Sequence, residues 1–463
     1  MPDLLLTHGY FLWEDDNERE IMKPYPPLGL LYLSAYLKRA GFAVEVFDTT
    51  FADRAELTAR FAASPGGVVG LYTNLMTRAN VVALMGEARR HGWTVVVGGP
   101  ESASYPAEYL ANGADVVVVG EGEETLAELL PALAAVGKHR LEAVAGVVFR
   151  DELGRLVHNP ARPQVRDLDS LPWPDREAID LARYVDVWRT HHGMGSVNLI
   201  TARGCPYKCN WCSHATFGHS HRRRRPADCA DEVAHILERF APDQVWYADD
   251  VFTISHKWLF EYADELARRG IRVPFETISR ADRLKKDDVM AALAAMGCYR
   301  IWIGSESGSQ RILDAMQRGV KVEEVQWATK AAQRHGIEVG MFLMWGYEGE
   351  ELEDIEATIE HVKAANPDVF FTTVSYPIKG TPYYDKVANR LAVTAEWAQR
   401  TDRDFRITGR RSRRYYRAAD EWLHAEVDAF RLEADNPAEA ARRRAAGAAA
   451  RAELLAAAHE VEA

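Results

Sequence analysis

Short β-branched runs separated by amphipathic stretches recur along most of this chain, and that alternation restricts its fold more than any other feature. In the first third the runs are "LLLT" (Leu4–Thr7), "AVEVFD" (Ala43–Asp48), "VVGLYT" (Val68–Thr73), "TVVVGG" (Thr94–Gly99) and "DVVVVGEG" (Asp115–Gly122). Helical patterns lie between them, such as Leu28–Gly41, which stops on a glycine as a C-terminal cap would. Strands joined through helices run parallel and are covered on both faces. The expectation for residues 1–136 is therefore α/β, a doubly wound parallel sheet. Ligands on such sheets sit beyond the carboxyl ends of the strands, which makes Gly98, Gly99, Gly120 and Gly122 candidate site residues. The competing reading is that these glycines only serve tight turns.

A Pro- and Asp-rich stretch reads as a surface connector over residues 137–194. A second strand series follows: "VNLIT", "QVWYADD", "VPFETIS", "YRIWIGSE", "VGMFLMWG" and "VFFTTVSY". Six β/α units in succession predict a partial (β/α)6 barrel over residues 195–392, with its active site at the C-terminal strand ends. From Val393 to Ala463 no strand signal appears, and the Ala-rich end reads as a helical C-terminal extension of unassigned role. A length of 463 residues suits two domains plus such an extension. A formal net charge of −12 favours a soluble protein and argues against non-specific nucleic-acid binding. The N-terminus lacks the pattern of a signal peptide, and no apolar run is long enough to span a membrane. An odd, sparse count of five cysteines without an export signal points to a reducing cytoplasm and no disulfide framework.

Three of those cysteines crowd into "TARGCPYKCNWCSH" (Thr201–His214), directly after the strand "VNLIT". Cys205, Cys209 and Cys212 form C-x3-C-x2-C. A structural zinc ion needs four ligands, and His214 or His219 could supply the fourth. A redox pair would use Cys209 and Cys212 but leave Cys205 idle. A [4Fe–4S] cluster held by three thiolates is the third option, and it leaves one iron open to an exogenous ligand.

With Trp211 before the last cysteine, this loop at the head of a β/α series resembles the radical S-adenosylmethionine (SAM) superfamily. The resemblance implies that the open iron binds SAM and that the reduced cluster cleaves it to a 5′-deoxyadenosyl radical. An electron donor such as flavodoxin or ferredoxin is implied as a partner, together with a small-molecule substrate. The resemblance places Asp249 and Asp250 near the cofactor's amino group, although either could merely cap the next helix. It places Arg280 at the methionyl carboxylate, Ser305 and Glu306 at the ribose, and "MFLMWGYEGE" at the adenine. There Tyr347 and Glu348 depart from the usual pair, while Met344 and Trp345 read as core. The run Arg222–Arg225 is similar to an Arg-rich turn of relatives, against the ordinary reading of a solvated charge run. Cys229 and Cys298 read as buried small hydrophobes.

The first 136 residues resemble the cobalamin-binding type of domain that precedes the radical module in ring-cyclase, hopanoid-modifying and natural-product methylating enzymes. One departure is plain: the cobalt-ligating Asp-x-His-x-x-Gly motif is absent, and only His8 and His91 precede Gly137. The implied cofactors are a [4Fe–4S] cluster, SAM and cobalamin, the last bound without histidine on cobalt. The alternative for this domain is a lid that has lost cobalamin. The implied activity is methylation of an unreactive carbon. Rearrangement, dehydration or cyclisation by a radical enzyme is the second reading, and a zinc-stabilised binding protein the third.

Overall fold

The computed structural model describes residues 2–393 and 395–462. The chain forms two compact units: Met1–Pro206 with Ser213–Trp246 and Ala395–Asp402, and Tyr207–Cys212 with Tyr247–Thr394 and Arg403–Ala463.

In the first unit, β1 (Leu4–His8), β2 (Val44–Phe47), β3 (Val68–Tyr72), β4 (Thr94–Gly98) and β5 (Val116–Val118) run parallel in the order β2-β1-β3-β4-β5. Successive side chains on a strand face opposite ways, and here both faces are apolar. Leu4, Leu6, Val96 and Val116 pack with Leu30, Leu37 and Leu129 on one side. Leu5, Val69, Val95 and Val117 pack with Leu57, Phe61 and Met85 on the other. That two-sided burial is what makes the sheet doubly wound.

The stretch read as a connector departs from expectation. Its β6 (Val147–Arg150) and β7 (Leu156–His158) add to the sheet antiparallel beyond β5, giving seven strands, and it ends in a helix, Leu181–His192. The turn between β6 and β7 is closed by Asp151, whose carboxylate accepts from the backbone N–H groups of Leu153 (3.0 Å) and Arg155 (2.8 Å). Each strand is too short to show a period in the sequence. β8 (Ser196–Leu199) follows, then the two-residue strands β9 (Ala202–Arg203) and β10 (Arg222–Arg223), which pair antiparallel and frame the cysteine loop.

The second sheet contains β11 (Gln244–Tyr247), β12 (Phe275–Ser279), β13 (Cys298–Glu306), β14 (Glu338–Trp345) and β15 (Val369–Val374), in the order β15-β14-β13-β12-β11-β8. The pairs from β12 to β15 are parallel. Consecutive strands are neighbours, as a barrel-like β/α series requires. Trp302, Phe342 and Phe371 stack in a row across β13, β14 and β15, with centroids 5.1 Å and 5.6 Å from Trp302. Gly340 makes room for this row, since a Cβ there would stand 2.2 Å from the Trp302 ring.

The C-terminal extension is not wholly helical. β16 (Leu391–Ala392) and β17 (Arg406–Ile407) pair antiparallel before the long helices Arg413–Leu432 and Pro437–Ala456. Gly447 looks like a weak point in the sequence, yet it is where the two helices meet. A Cβ there would come 3.5 Å from Ala425 and Trp422 and 2.9 Å from Glu426 Oε1.

Candidate functional site

The stretch 207–212 is pinned by backbone to the second unit. Asn210 N donates to Met316 O, its side-chain amide to Ala315 O, and Tyr383 N donates to Asn210 O, each at 3.0 Å. Trp211 packs against the cluster that includes Ile312, Met316, Met344 and Tyr383. Its bulk thereby anchors the loop between two cysteines. Cys209 is buried, Cys205 half-buried and Cys212 exposed, and none is in a disulfide. Two guanidinium groups face Cys209: Arg280 Nη1 and Arg318 Nη1 each stand 3.8 Å from its sulfur.

Arg280 is 2% exposed and tightly fixed. Its Nε donates to Asp282 Oδ1 at 2.9 Å, its Nη2 to Arg318 O at 2.8 Å, and its guanidinium lies 3.6 Å above the Tyr207 ring. Arg318 was not foreseen from sequence. It donates to Gly304 O at 2.9 Å, its Nε lies 3.7 Å from Glu306 Oε1, and that buried Nε has no hydrogen-bond partner among the described residues. Left-handed backbone at Gln317 (φ 52°) and Gly319 (φ 62°) turns the chain so that Arg318 points inward.

Ser305 and Glu306 part company. They are adjacent at the end of β13, and their side chains meet different partners. The Ser305 hydroxyl lies 2.9 Å from His361 Nε2. Burial lowers the His361 pKa to about 4. Glu306 stands in a left-handed conformation (φ 65°) at a register shift in the β13–β14 pairing. Burial raises its carboxyl pKa, and Arg318 and Arg280 offset only part of that rise. Gly304 leaves room for both partners: a Cβ there would stand 2.6 Å from Glu306 Oε1 and 2.9 Å from Arg318 Nη2. Cys209, Arg280, Glu306 and Arg318 thus form one charged cluster at the strand ends.

Asp249 is buried and Asp250 exposed at the end of β11. The surrounding protein, and then the neighbouring Asp249 charge, raise the Asp250 pKa. Neither caps the next helix, because Ser255 Oγ accepts from Trp258 N at 3.3 Å and does so instead. The turn after β14 is held by Glu350, whose Oε2 accepts from Gly346 N at 2.6 Å. Tyr347 stacks on Tyr383, and Met344 and Trp345 are buried, as a core reading requires. The run Arg222–Arg225 is no solvated stripe. Arg222 donates to Glu121 Oε2 at 2.7 Å, Arg224 to Asp228 Oδ2 at 2.6 Å and to Glu232, and Arg225 to Asp169 Oδ2 at 3.0 Å. Cys229 and Cys298 are buried. His214 and His219, the zinc reading's fourth ligands, stack on each other with centroids 4.0 Å apart.

In the first unit the glycine loops have separate duties. Gly99 (φ 121°) lies so close to Thr73 that a Cβ would stand 2.2 Å from its carbonyl oxygen. Gly122 caps the helix Glu123–Val136 and faces Leu33. Gly98 and Gly120 are open: a Cβ would meet only Val118 at 3.7 Å, or only Thr216 O at 4.0 Å. The carboxylates on either side of Gly122, those of Glu121 and Glu123, grip the residue that opens the cysteine loop. Arg203 donates to Glu121 Oε1 at 2.8 Å and to Glu123 Oε1 at 2.6 Å, all three groups being buried. His8 ends β1 with both ring nitrogens occupied, Nε2 by Asp48 Oδ1 and Nδ1 by Thr49 Oγ1, each at 2.9 Å.

Residues 199–362 match the model of the radical SAM superfamily, and residues 19–130 match that of the B12 binding domain. The chain thus contains a radical SAM domain and a B12-binding domain. An uncharacterised methyltransferase of Pyrococcus horikoshii, PH0819, is 28% identical over 389 residues, 82% of each chain. The anaerobic magnesium-protoporphyrin IX monomethyl ester cyclase of Rubrivivax gelatinosus is 25% identical over 386 residues, 81% of this chain and 68% of that one. Among solved structures, the radical SAM methyltransferase TsrM of Kitasatospora setae superposes with a TM-score of 0.69 at 21% identity, covering 84% of this chain and 78% of its own. The cobalamin-dependent radical enzyme OxsB superposes with a TM-score of 0.73 at 17% identity, covering 99% and 72%. At these identities the superpositions speak for the fold.

The radical SAM enzyme therefore takes a [4Fe–4S] cluster, SAM and cobalamin, and the residues present suit the cluster and the cobalamin. Two guanidiniums on a buried cysteine sulfur complement the negative charge that a cluster thiolate carries. Among the described residues no three His, Cys, Asp or Glu side chains gather around one ion position, and a cube that takes one thiolate per iron asks for no such convergence. At the ends of β4 and β5, Gly98 and Gly120 leave space for a bulky corrin or its tail.

Proposed function

We propose that this radical SAM enzyme methylates an unreactive carbon of a small molecule in specialised metabolism, with cobalamin as the methyl carrier. The observation that carries the reading is the pairing, in one chain, of a three-cysteine loop with a B12-binding domain. Relatives support it: besides the Pyrococcus protein, a cytidylyl-2-hydroxyethylphosphonate methyltransferase of Streptomyces wedmorensis is 23% identical over 418 residues. The cluster and SAM supply the carbon radical, and cobalamin supplies the methyl group.

In this reading Cys205, Cys209 and Cys212 hold three irons, and Arg280 and Arg318 balance the charge beside Cys209. Glu306 orients both arginines, and Asp249 with Asp250 receives the cofactor's amino group. His8 stays bound to Asp48 and Thr49, so cobalt takes no histidine from it. A flavodoxin or ferredoxin delivers the electron.

The test is anaerobic reconstitution with iron, sulfide and cobalamin, followed by assays for 5′-deoxyadenosine and S-adenosylhomocysteine. A methyltransferase must form the second product each time its cobalamin is re-methylated. Formation of 5′-deoxyadenosine without any S-adenosylhomocysteine overturns methyl transfer. It moves the enzyme to the rearranging, dehydrating or cyclising class, which the cyclase relative exemplifies.

A further inference from the structure

The C-terminal extension follows the last strand of the second sheet, and its first helix walls an open recess of about 530 Å³ at the carboxyl ends of β14 and β15. Trp345, Val374, Phe405 and Tyr416 give this recess an apolar lining, and Arg413 and Arg417 line it from the helix Arg413–Leu432. The other charged groups of the lining are largely occupied. Arg410 pairs with Glu462 at 2.9 Å and donates to Ser375 O, and Arg414 pairs with Glu453 and Glu460, each at 2.6 Å. Asp420 accepts from Thr372 Oγ1 and from Trp345 Nε1. Arg403 lies 5.6 Å from the Tyr376 ring centroid.

Arg413 and Arg417 are different. Arg413 makes no hydrogen bond or ion pair among the described residues, and Arg417 has only Glu421 at 3.9 Å, both of that pair's side chains being well exposed. Spaced i and i+4, the two arginines share one helix face, where like charges repel. They also stand in the first turns of a 20-residue helix whose first turn contains no acidic residue. The positive end of the helix macrodipole is the end where cations are least welcome. Three electrostatic choices thus run against the helix at one place, beside an aromatic recess. Local rules broken together in this way mark a site where a ligand restores the balance.

We propose that this recess binds the anionic group of the methyl-acceptor substrate, a small organic acid or phosphate ester with an apolar body. Arg413 and Arg417 grip its oxygens while Trp345, Phe405 and Tyr416 receive the rest. Guanidinium groups suit that task because their planar forks match carboxylate and phosphate geometry. The assignment of the anion to the substrate rests on the methyltransferase reading. The binding itself does not, so it is measured on full-length protein without cofactors.

Isothermal titration at low ionic strength with phenyl phosphate, 3-phenylpropionate and the neutral 3-phenylpropan-1-ol is the experiment. One-to-one binding of an anion and none of the alcohol is expected, and the preferred anion identifies the headgroup. The double variant Arg413→Gln/Arg417→Gln should weaken that anion about tenfold or more, about the loss of one charge-assisted contact. The same variant should melt no lower than wild type, because a like-charge pair has been removed. Equal binding of alcohol and anions, wild-type affinity in the double variant, or a clear drop in its melting temperature overturns the proposal. Absence of 5′-deoxyadenosine from the reconstituted enzyme would instead overturn the functional reading and leave the anion site standing.

Discussion

Arg318 offers the sharpest test of the site, because the structure fixes both what it touches and how much its charge is worth. Replacing it with methionine keeps most of the volume and removes the charge. The guanidinium stands 3.8 Å from Cys209 Sγ, and at an effective dielectric near 20 a unit charge at that distance is worth about 4 kcal/mol. An electron added to a cluster would be shared over the cube rather than held on that sulfur, so this figure is used as a ceiling. Expressed as a one-electron potential the ceiling is about 170 mV, and a shift of roughly 50–150 mV is expected. The sign is definite: losing a positive neighbour disfavours adding an electron, so the midpoint potential falls. The substitution also removes a charge-assisted hydrogen bond to Gly304 O and leaves Glu306 with Arg280 alone, a cost to folding of about 2 kcal/mol. The assay is redox titration of the reconstituted protein, followed by electron paramagnetic resonance, with cluster content measured in parallel. Arg318→Lys, which keeps a charge but not the fork, should lie between the two. A fully loaded Arg318→Met protein whose potential matches wild type would refute the reasoning.

Cys209→Ala should remove bound iron and sulfide while the far-ultraviolet circular dichroism stays native, since one buried thiol contributes little to packing; normal SAM cleavage by that variant would disprove the cluster assignment. Gly340→Ala should destabilise the fold by about 1–3 kcal/mol in denaturant titration, because its Cβ would stand 2.2 Å from the Trp302 ring and the stacked row must move. Glu350 sets a pH trend. Burial pushes its carboxyl from 4.5 up to about 8, so between those values the folded protein keeps a proton that the unfolded chain releases. Its contribution therefore favours folding below pH 4.5 and is lost as pH rises to 8. Glu350→Gln should flatten that part of the stability profile, measured as denaturation midpoints at pH 5, 6.5 and 8, and an unchanged slope would count against it.

The parallel strands were legible because burial on both faces writes itself as continuous β-branched runs: Val95, Val96 and Val97 serve alternate faces of one sheet, and no polar residue interrupts them. β6 and β7 were not, since four and three residues at a sheet edge leave no period to count. The same physics divides the candidate site. Cys209 and Arg280 announced themselves by motif and by place at a strand end. Ser305 and Glu306 could both be named from their place at the end of β13, but the register shift and left-handed backbone that set Glu306 toward Arg318 leave no mark in the sequence. Arg318 left no trace, because its position depends on two left-handed residues flanking it in a loop. Arg78 shows the extreme of this. It is fully buried and bonded to Glu101 and to Asp402, 324 residues away, with Tyr105 donating to the same Asp402 oxygen at 2.6 Å. A buried cation must find its carboxylates wherever the fold brings them, so the residue type predicts that partners exist without saying where. Charge pairs set by topology are therefore the part of a site that a sequence hides, whereas thiols and strand periods, set by local spacing, are the part it shows. Arg413 and Arg417 belong to the second kind: their conflict is with their own helix, and it could be read from i and i+4 alone.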